Sequence, residues 1–188
     1  MFERFTKDAR AVVQGAVGHA EETRAGAVEP EHLLLALLDR EGSRASFALA
    51  ALGVDEHREA VRRALRDARR RAGLSQSETE ALAGLGIDVT EIVAKVEEAH
   101  GVGAMSVDDR KGGRWWSGHR SFGRGAKEVL EKALRVAVAR RDRHIGDEHL
   151  LLALVLRPSV PAEVLADHGV THASLIRVLG GGATEACA

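Results

Sequence analysis

With 188 residues, the chain is long enough for one or two small domains with buried cores. Hydrophobic residues at 45% and charged residues at 29% are globular proportions and exclude wholesale disorder. A net charge of −1 excludes a global electrostatic drive towards nucleic acid or anionic membrane, and 3% aromatics without tyrosine exclude a base-stacking surface.

The first residues, Met1-Phe2-Glu3-Arg4-Phe5, contain no apolar stretch of signal-peptide length, so a soluble cytoplasmic protein is expected. Thr6 reads as the N-cap of a first helix, because Ala9, Val12, Val13, Ala16 and Ala20 then fall on one stripe. A second helix is predicted from near Glu31 through the apolar run 33–38, with Pro30 at its start. A short third helix ends at Gly53, and a fourth follows Asp55 and runs through Val61 and Leu65 towards a group of arginines. Residues 75–100 again show helical spacing in Leu82, Leu85, Val89, Ile92, Val93 and Val96, and residues 82–88 echo residues 49–55. The stretch 101–125, rich in Gly, Asp, Arg and Ser around Trp115-Trp116, reads as a long mobile linker.

The opening pattern then returns. A shift of 117 residues lays Phe5 on Phe122, Ala9 on Ala126, Val12 on Val129, Ala16 on Ala133 and Ala20 on Ala137. The same shift lays Glu31-His32-Leu33-Leu34-Leu35-Ala36-Leu37 on Glu148-His149-Leu150-Leu151-Leu152-Ala153-Leu154. In the second copy Asp147 is expected to cap the leucine helix, in the place that Pro30 holds in the first. The chain is therefore an internal duplication. The predicted fold is all-α: two four-helix repeats, residues 1–65 and 122–180, related by a pseudo-twofold axis. Residues 66–121 form an inserted helical segment and linker, and residues 181–188 form a flexible tail.

Few residues carry chemistry. Glu31-His32 and Glu148-His149 resemble half of a zinc-protease motif, but Leu35 and Leu152 stand where the second histidine is needed. The histidines are expected to pack at helix starts and no metal is expected. Neither glycine-dense stretch, Gly112-Gly113-Arg114 or Gly180-Gly181-Gly182, ends in the Lys-Ser/Thr of a phosphate loop, so neither a cofactor nor an enzymatic activity is expected. The lone Cys187 excludes an internal disulfide. Arg62, Arg63, Arg66, Arg69, Arg70 and Arg71 read as a solvated helix end; the alternative is a nucleic-acid-binding regulator that uses this cluster together with Trp115-Trp116.

Met1-Phe2-Glu3-Arg4-Phe5-Thr6 with Ala9-Arg10 and the block 31–37 resembles the N-terminal repeat domain of Clp unfoldases of the ClpC type. Phe122, Ala126-Lys127-Glu128-Val129-Leu130 and the block 148–154 resemble its second repeat. The resemblance implies a non-enzymatic module without its ATPase motor, whose partners are client proteins, adaptors, a ClpC-type unfoldase or peptide-like molecules. It also implies phosphoarginine binding, in which a glutamate pairs the guanidinium while a threonine and helix-end amides hold the phosphate. Thr6 and Glu31 match in copy one. In copy two Glu148 matches, but Gly123 stands in place of the threonine, so copy one is expected to bind better. Finally, it implies an apolar groove at Phe2, Phe122 and Lys127.

Overall fold

The computed structural model describes residues 2–105 and 120–180. Trp115-Trp116, Gly112-Gly113-Arg114 and Cys187 lie outside them. A 3-10 turn, Phe2–Arg4, leads into α1 (Lys7–Glu22), α2 (Pro30–Leu38), α3 (Arg44–Ala51) and α4 (Val54–Arg70). The insertion contributes α5 (Gln76–Gly84) and α6 (Val89–His100). The second repeat supplies α7 (Arg124–Ala139), α8 (Asp147–Val155), α9 (Val160–Asp167) and α10 (His172–Gly180). The all-α reading with four helices per repeat holds.

The leucine helices are the centre of the molecule. In α2, Leu33, Leu34 and Leu37 are fully buried, as are residues 150–154 of α8, and the two helices touch each other. Each is covered by the first helix of its own repeat through the small-residue stripe: Ala9, Val12, Ala16 and Ala20 of α1, and Ala126, Val129, Ala133 and Ala137 of α7. Small side chains let the axes come close. A Cβ placed on Gly15 of α1 would sit 3.1 Å from the Cβ of Ala36, so this crossing is already at contact distance.

One feature has no sequence signature. Two-residue strands, β1 (Ala27–Val28) and β2 (Ser121–Phe122), pair in parallel between the repeats, and Phe5 bridges Ile145 in the same sense. Under the shift of 117, Val28 corresponds to Ile145 and Phe5 to Phe122. Each repeat thus lends its entry strand to the other. The hydrogen bonds repeat the symmetry: the amide of Thr6 donates to the carbonyl of Ile145 (2.9 Å), and that of Gly123 to the carbonyl of Val28 (2.9 Å).

Three expectations change. The segment expected as linker up to residue 125 is ordered at its end, because Ser121 and Phe122 are held by that pairing and Arg124 opens α7. The fourth helix runs on to Arg70, past the expected repeat boundary at 65, because Ala68 continues the buried stripe of Val54, Val61 and Leu65. Asp147 is not an N-cap. Gly146 holds that position and Asp147 is the first helical residue, its carboxylate accepting instead from the amide of Ala45 (3.3 Å), at the start of α3 in the other repeat.

The insertion is peripheral. No residue of α5 is buried, and α6 buries only Val89 and Val93. Arg70 holds the pair to the first repeat through Glu97 (2.6 Å), and Ser77 donates to Glu163 of α9 (3.0 Å). The echo of residues 49–55 in residues 82–88 is a shared turn: Gly53 (φ 78°) and Gly86 (φ 81°) both occupy the left-handed region between two helices.

Truncating either central helix leaves a cavity that the packed neighbours cannot fill. Leu34→Ala and Leu151→Ala are each expected to lower unfolding free energy by about 2–5 kcal/mol in urea denaturation. A loss below 1 kcal/mol at both positions would contradict a shared core built on α2 and α8.

Candidate functional site

The entry strands bring the amino end of one repeat's first helix against the start of the other repeat's leucine helix. Two clefts lie at the starts of the leucine helices, and the first of them is formed this way. One, of about 270 Å³, is lined by Thr6, Asp8 and Arg44 from repeat one and by residues from 142–149 of repeat two. The other, of about 360 Å³, is lined by the equivalent stretch 25–32 of repeat one, by Arg69, and by residues 157–161 of repeat two. The first is called here the Thr6 cleft, the second the Glu31 cleft.

Thr6 is the N-cap of α1, as expected: its hydroxyl oxygen accepts from the amide of Ala9 (3.2 Å). A hydroxyl that accepts still has its own hydrogen to donate. Across the cleft lies Glu148, 4% exposed, with Arg44 Nη1 2.9 Å from its Oε1. Asp142 titrates below the ordinary aspartate range: burial pushes it up, but the hydrogen bond from His149 (2.9 Å) and the nearby Arg140 outweigh that. The structure therefore brings Thr6 together with Glu148, from the opposite repeat. Glu31, its expected partner within copy one, lines the other cleft.

The Glu31 cleft has diverged. Glu31 is raised in pKa chiefly by burial, with Glu29 adding to the shift and Arg69, 3.6 Å away, opposing it. Gly123 stands where Thr6 stands in the first cleft, and the Glu29 carboxylate covers it. A Cβ on Gly123 would fall 1.8 Å from Glu29 Oε1, and one on Gly125 would fall 3.2 Å from Oε2. A carboxylate thus occupies the amino end of α7, where an anionic ligand would otherwise meet the helix dipole. In the Thr6 cleft the residue equivalent to Glu29 is Gly146, which has no side chain to do this.

Both histidines have the structural role expected of them. His32 Nδ1 accepts from the amide of Glu29 and His149 Nδ1 from that of Gly146, each at 2.9 Å, so each imidazole holds the N-cap amide at the start of α2 or α8. Among the described residues no group of three His, Cys, Asp or Glu side chains is arranged to hold a metal ion. No single described helix is long and apolar enough to cross a membrane.

Phe122 is half-buried in β2 against the core, and Lys127 is exposed on α7. Neither lines the two clefts. Three of the six arginines in the cluster are paired with carboxylates: Arg62 with Asp39, Arg69 with Glu31 (3.6 Å) and Arg70 with Glu97. Carboxylates so placed work against phosphate-backbone binding on this face.

Sequence reasoning missed Arg44, Glu29 and the pairing of Thr6 with Glu148. All three depend on contacts between repeats, and only the two-copy alignment, read for exchange between its halves, held a trace of them.

The sequence profile of the Clp repeat (R) N-terminal domain family matches residues 4–100 and 121–185. Among solved structures, the N-terminal domain of the caseinolytic-protease-associated chaperone ClpD from Arabidopsis thaliana is similar at 19% identity. The match covers 97% of this chain and 96% of that one, with a TM-score of 0.55. A protein from a malarial protein secretion system matches at 12% identity and a TM-score of 0.52, covering 98% of each chain. At these identities the likeness is one of fold.

His32 is 1% exposed, and its pKa is lowered to about 4 by burial first, with Arg69 and His19 adding to the effect. A group depressed in the folded state costs stability as pH falls from its unfolded value near 6.5 towards 4. Unfolding free energy is therefore expected to drop by about 2 kcal/mol between pH 7 and pH 5 through this residue, and His32→Gln, which can still accept from Glu29, should flatten that part of the profile. Equal pH dependence in wild type and His32→Gln would contradict it.

Proposed function

This chain belongs to the Clp repeat N-terminal domain family, a family of non-catalytic domains that bind substrates and adaptors of Clp unfoldases, and from that premise we propose that it is a cytoplasmic, non-enzymatic protein-binding module that takes arginine-phosphate groups of client proteins in the Thr6 cleft. Binding there would let it share clients with, or shield, a ClpC-type unfoldase.

The observation that carries the reading is the juxtaposition of Thr6 and Glu148 in one cavity. A phosphorylated arginine has a planar fork that a carboxylate accepts and an anionic end that a hydroxyl and helix-terminal amides accept. Glu148 offers the first and Thr6, opening α1, offers the second. Each repeat alone has only half of this set.

The Glu31 cleft is not assigned the same ligand. Glu29 covers the end of α7 where the phosphate would sit, and Pro30 at the start of α2 has no amide hydrogen to offer. The expected groove at Phe2, Phe122 and Lys127, of which the Phe2 side chain lies outside the described residues, is proposed as a separate contact for the peptide around the modified residue.

Titration calorimetry with free phosphoarginine tests the reading. Wild type should bind, Glu148→Ala should abolish binding, and Glu31→Ala should leave affinity unchanged. Thr6→Val should weaken it about tenfold or more, because a hydrogen bond to a charged group contributes roughly 1.5–3 kcal/mol. Thr6→Ser, which keeps hydroxyl and cap, should restore it. Absence of binding to wild type at millimolar ligand, or a loss caused by Glu31→Ala but not by Glu148→Ala, would overturn the assignment.

A further inference from the structure

The carboxylate at the floor of the Thr6 cleft is already held by a guanidinium of this chain. Arg44 Nη1 lies 2.9 Å from Glu148 Oε1, while the other oxygen packs on backbone: a Cβ on Gly146 would fall 1.9 Å from Oε2. With Arg44 on one oxygen and the Gly146 backbone beside the other, an arriving guanidinium competes with Arg44 for this carboxylate.

The two partners differ in freedom. The Glu148 side chain is 5% exposed and fixed in the core, whereas that of Arg44 is 60% exposed at the first position of α3. Arg44 can swing into solvent without disturbing the fold. Glu148 also has His149 Nδ1 at 3.8 Å, but that nitrogen is committed to the amide of Gly146.

The second cleft shows what the position looks like without the arginine. Ser43 and Ser159 are the N-caps of α3 and α9, so the counterpart of Arg44 is Val160. There the carboxylate faces Arg69, supplied by α4 at 3.6 Å.

We propose that Arg44 is an internal competitor that occupies Glu148 in the free protein and sets which arginines enter the Thr6 cleft. The proposal rests on the reading of that cleft as an arginine-phosphate site. Exchange of one guanidinium for another on the same carboxylate yields little net free energy. Unmodified arginine, present on nearly every protein surface, therefore stays out. A phosphorylated arginine adds the contact with Thr6 and the end of α1, and that addition drives the exchange. Apparent affinity is the intrinsic affinity multiplied by the fraction of molecules in which Glu148 is unoccupied.

The test is calorimetry with two probes, N-acetylarginine amide and phosphoarginine, on wild type and Arg44→Val, which copies the residue at 160. Wild type should show no binding of N-acetylarginine amide at millimolar concentration. Arg44→Val should bind it, and should bind phosphoarginine about tenfold more tightly than wild type. Adding Glu148→Gln should abolish both gains. Arg44→Gln keeps a neutral donor on the buried carboxylate and should give gains of the same direction and smaller size, so it takes over the test if thermal denaturation shows Arg44→Val unfolded. Unchanged affinities in the folded variants would make Arg44 a bystander and overturn the proposal. Weakened phosphoarginine binding would make it a phosphate ligand and overturn it equally. If phosphoarginine binds no form of the protein while Arg44→Val gains N-acetylarginine amide, the competitor stands and the arginine-phosphate assignment falls. If phosphoarginine binds wild type and Arg44→Val gains nothing, the assignment stands and the competitor falls.

Discussion

Two main-chain hydrogen bonds between the repeats organise everything else: the amide of Thr6 on the carbonyl of Ile145, and the amide of Gly123 on the carbonyl of Val28. Each fixes the entry of one repeat's first helix beside the start of the other repeat's leucine helix. A two-stranded pairing this short has little stability of its own. It is held because Val28, Phe5 and Ile145 are buried in the same core as the leucines of α2 and α8. The burial that stabilises the fold and the geometry that makes the clefts are therefore one arrangement. Neither repeat on its own has a complete cleft.

Duplication supplied two clefts, and a few substitutions separated them. Thr6 against Gly123 changes whether a hydroxyl stands at the helix end. Gly146 against Glu29 changes whether that helix end is open or covered by a carboxylate. Arg44 against Val160 changes which arginine faces the cleft carboxylate: Arg44 of α3 pairs with Glu148 at 2.9 Å, whereas Glu31 meets Arg69 of α4 at 3.6 Å. The first two differences act together, because a helix amino end left open and flanked by a hydroxyl favours an anion, and one covered by Glu29 repels it. Burial sharpens the contrast. Glu148 lies deep enough that a charge-assisted contact to it counts for more than the same contact at the surface.

Much of the fold was legible in the sequence, for reasons that are local. The stripe of Ala9, Val12, Ala16 and Ala20 has helical period, the leucine runs are apolar on every face as central helices are, and Thr6 and Gly53 mark helix ends. The duplication itself predicted the pseudo-symmetry. The site was less legible because its parts meet only in three dimensions. Strands of two residues are too short to show alternation, so the exchange of entry strands left no pattern. Asp147 has the residue type of an N-cap, yet it serves α3 of the other repeat, while glycine takes the cap position in its own helix. Assigning Thr6 and Glu31 to one site followed from treating each copy as a unit, and the strand exchange is the reason that Thr6 instead meets Glu148.

Amide shift mapping on isotope-labelled protein tests the composite cleft most directly. On titration with phosphoarginine, the account predicts that perturbations appear together at residues 6–9 and 146–149, in opposite repeats, while residues 29–32 and 123–126 stay unchanged. Perturbations confined to one repeat, or centred on Glu31 and the start of α7, would contradict it.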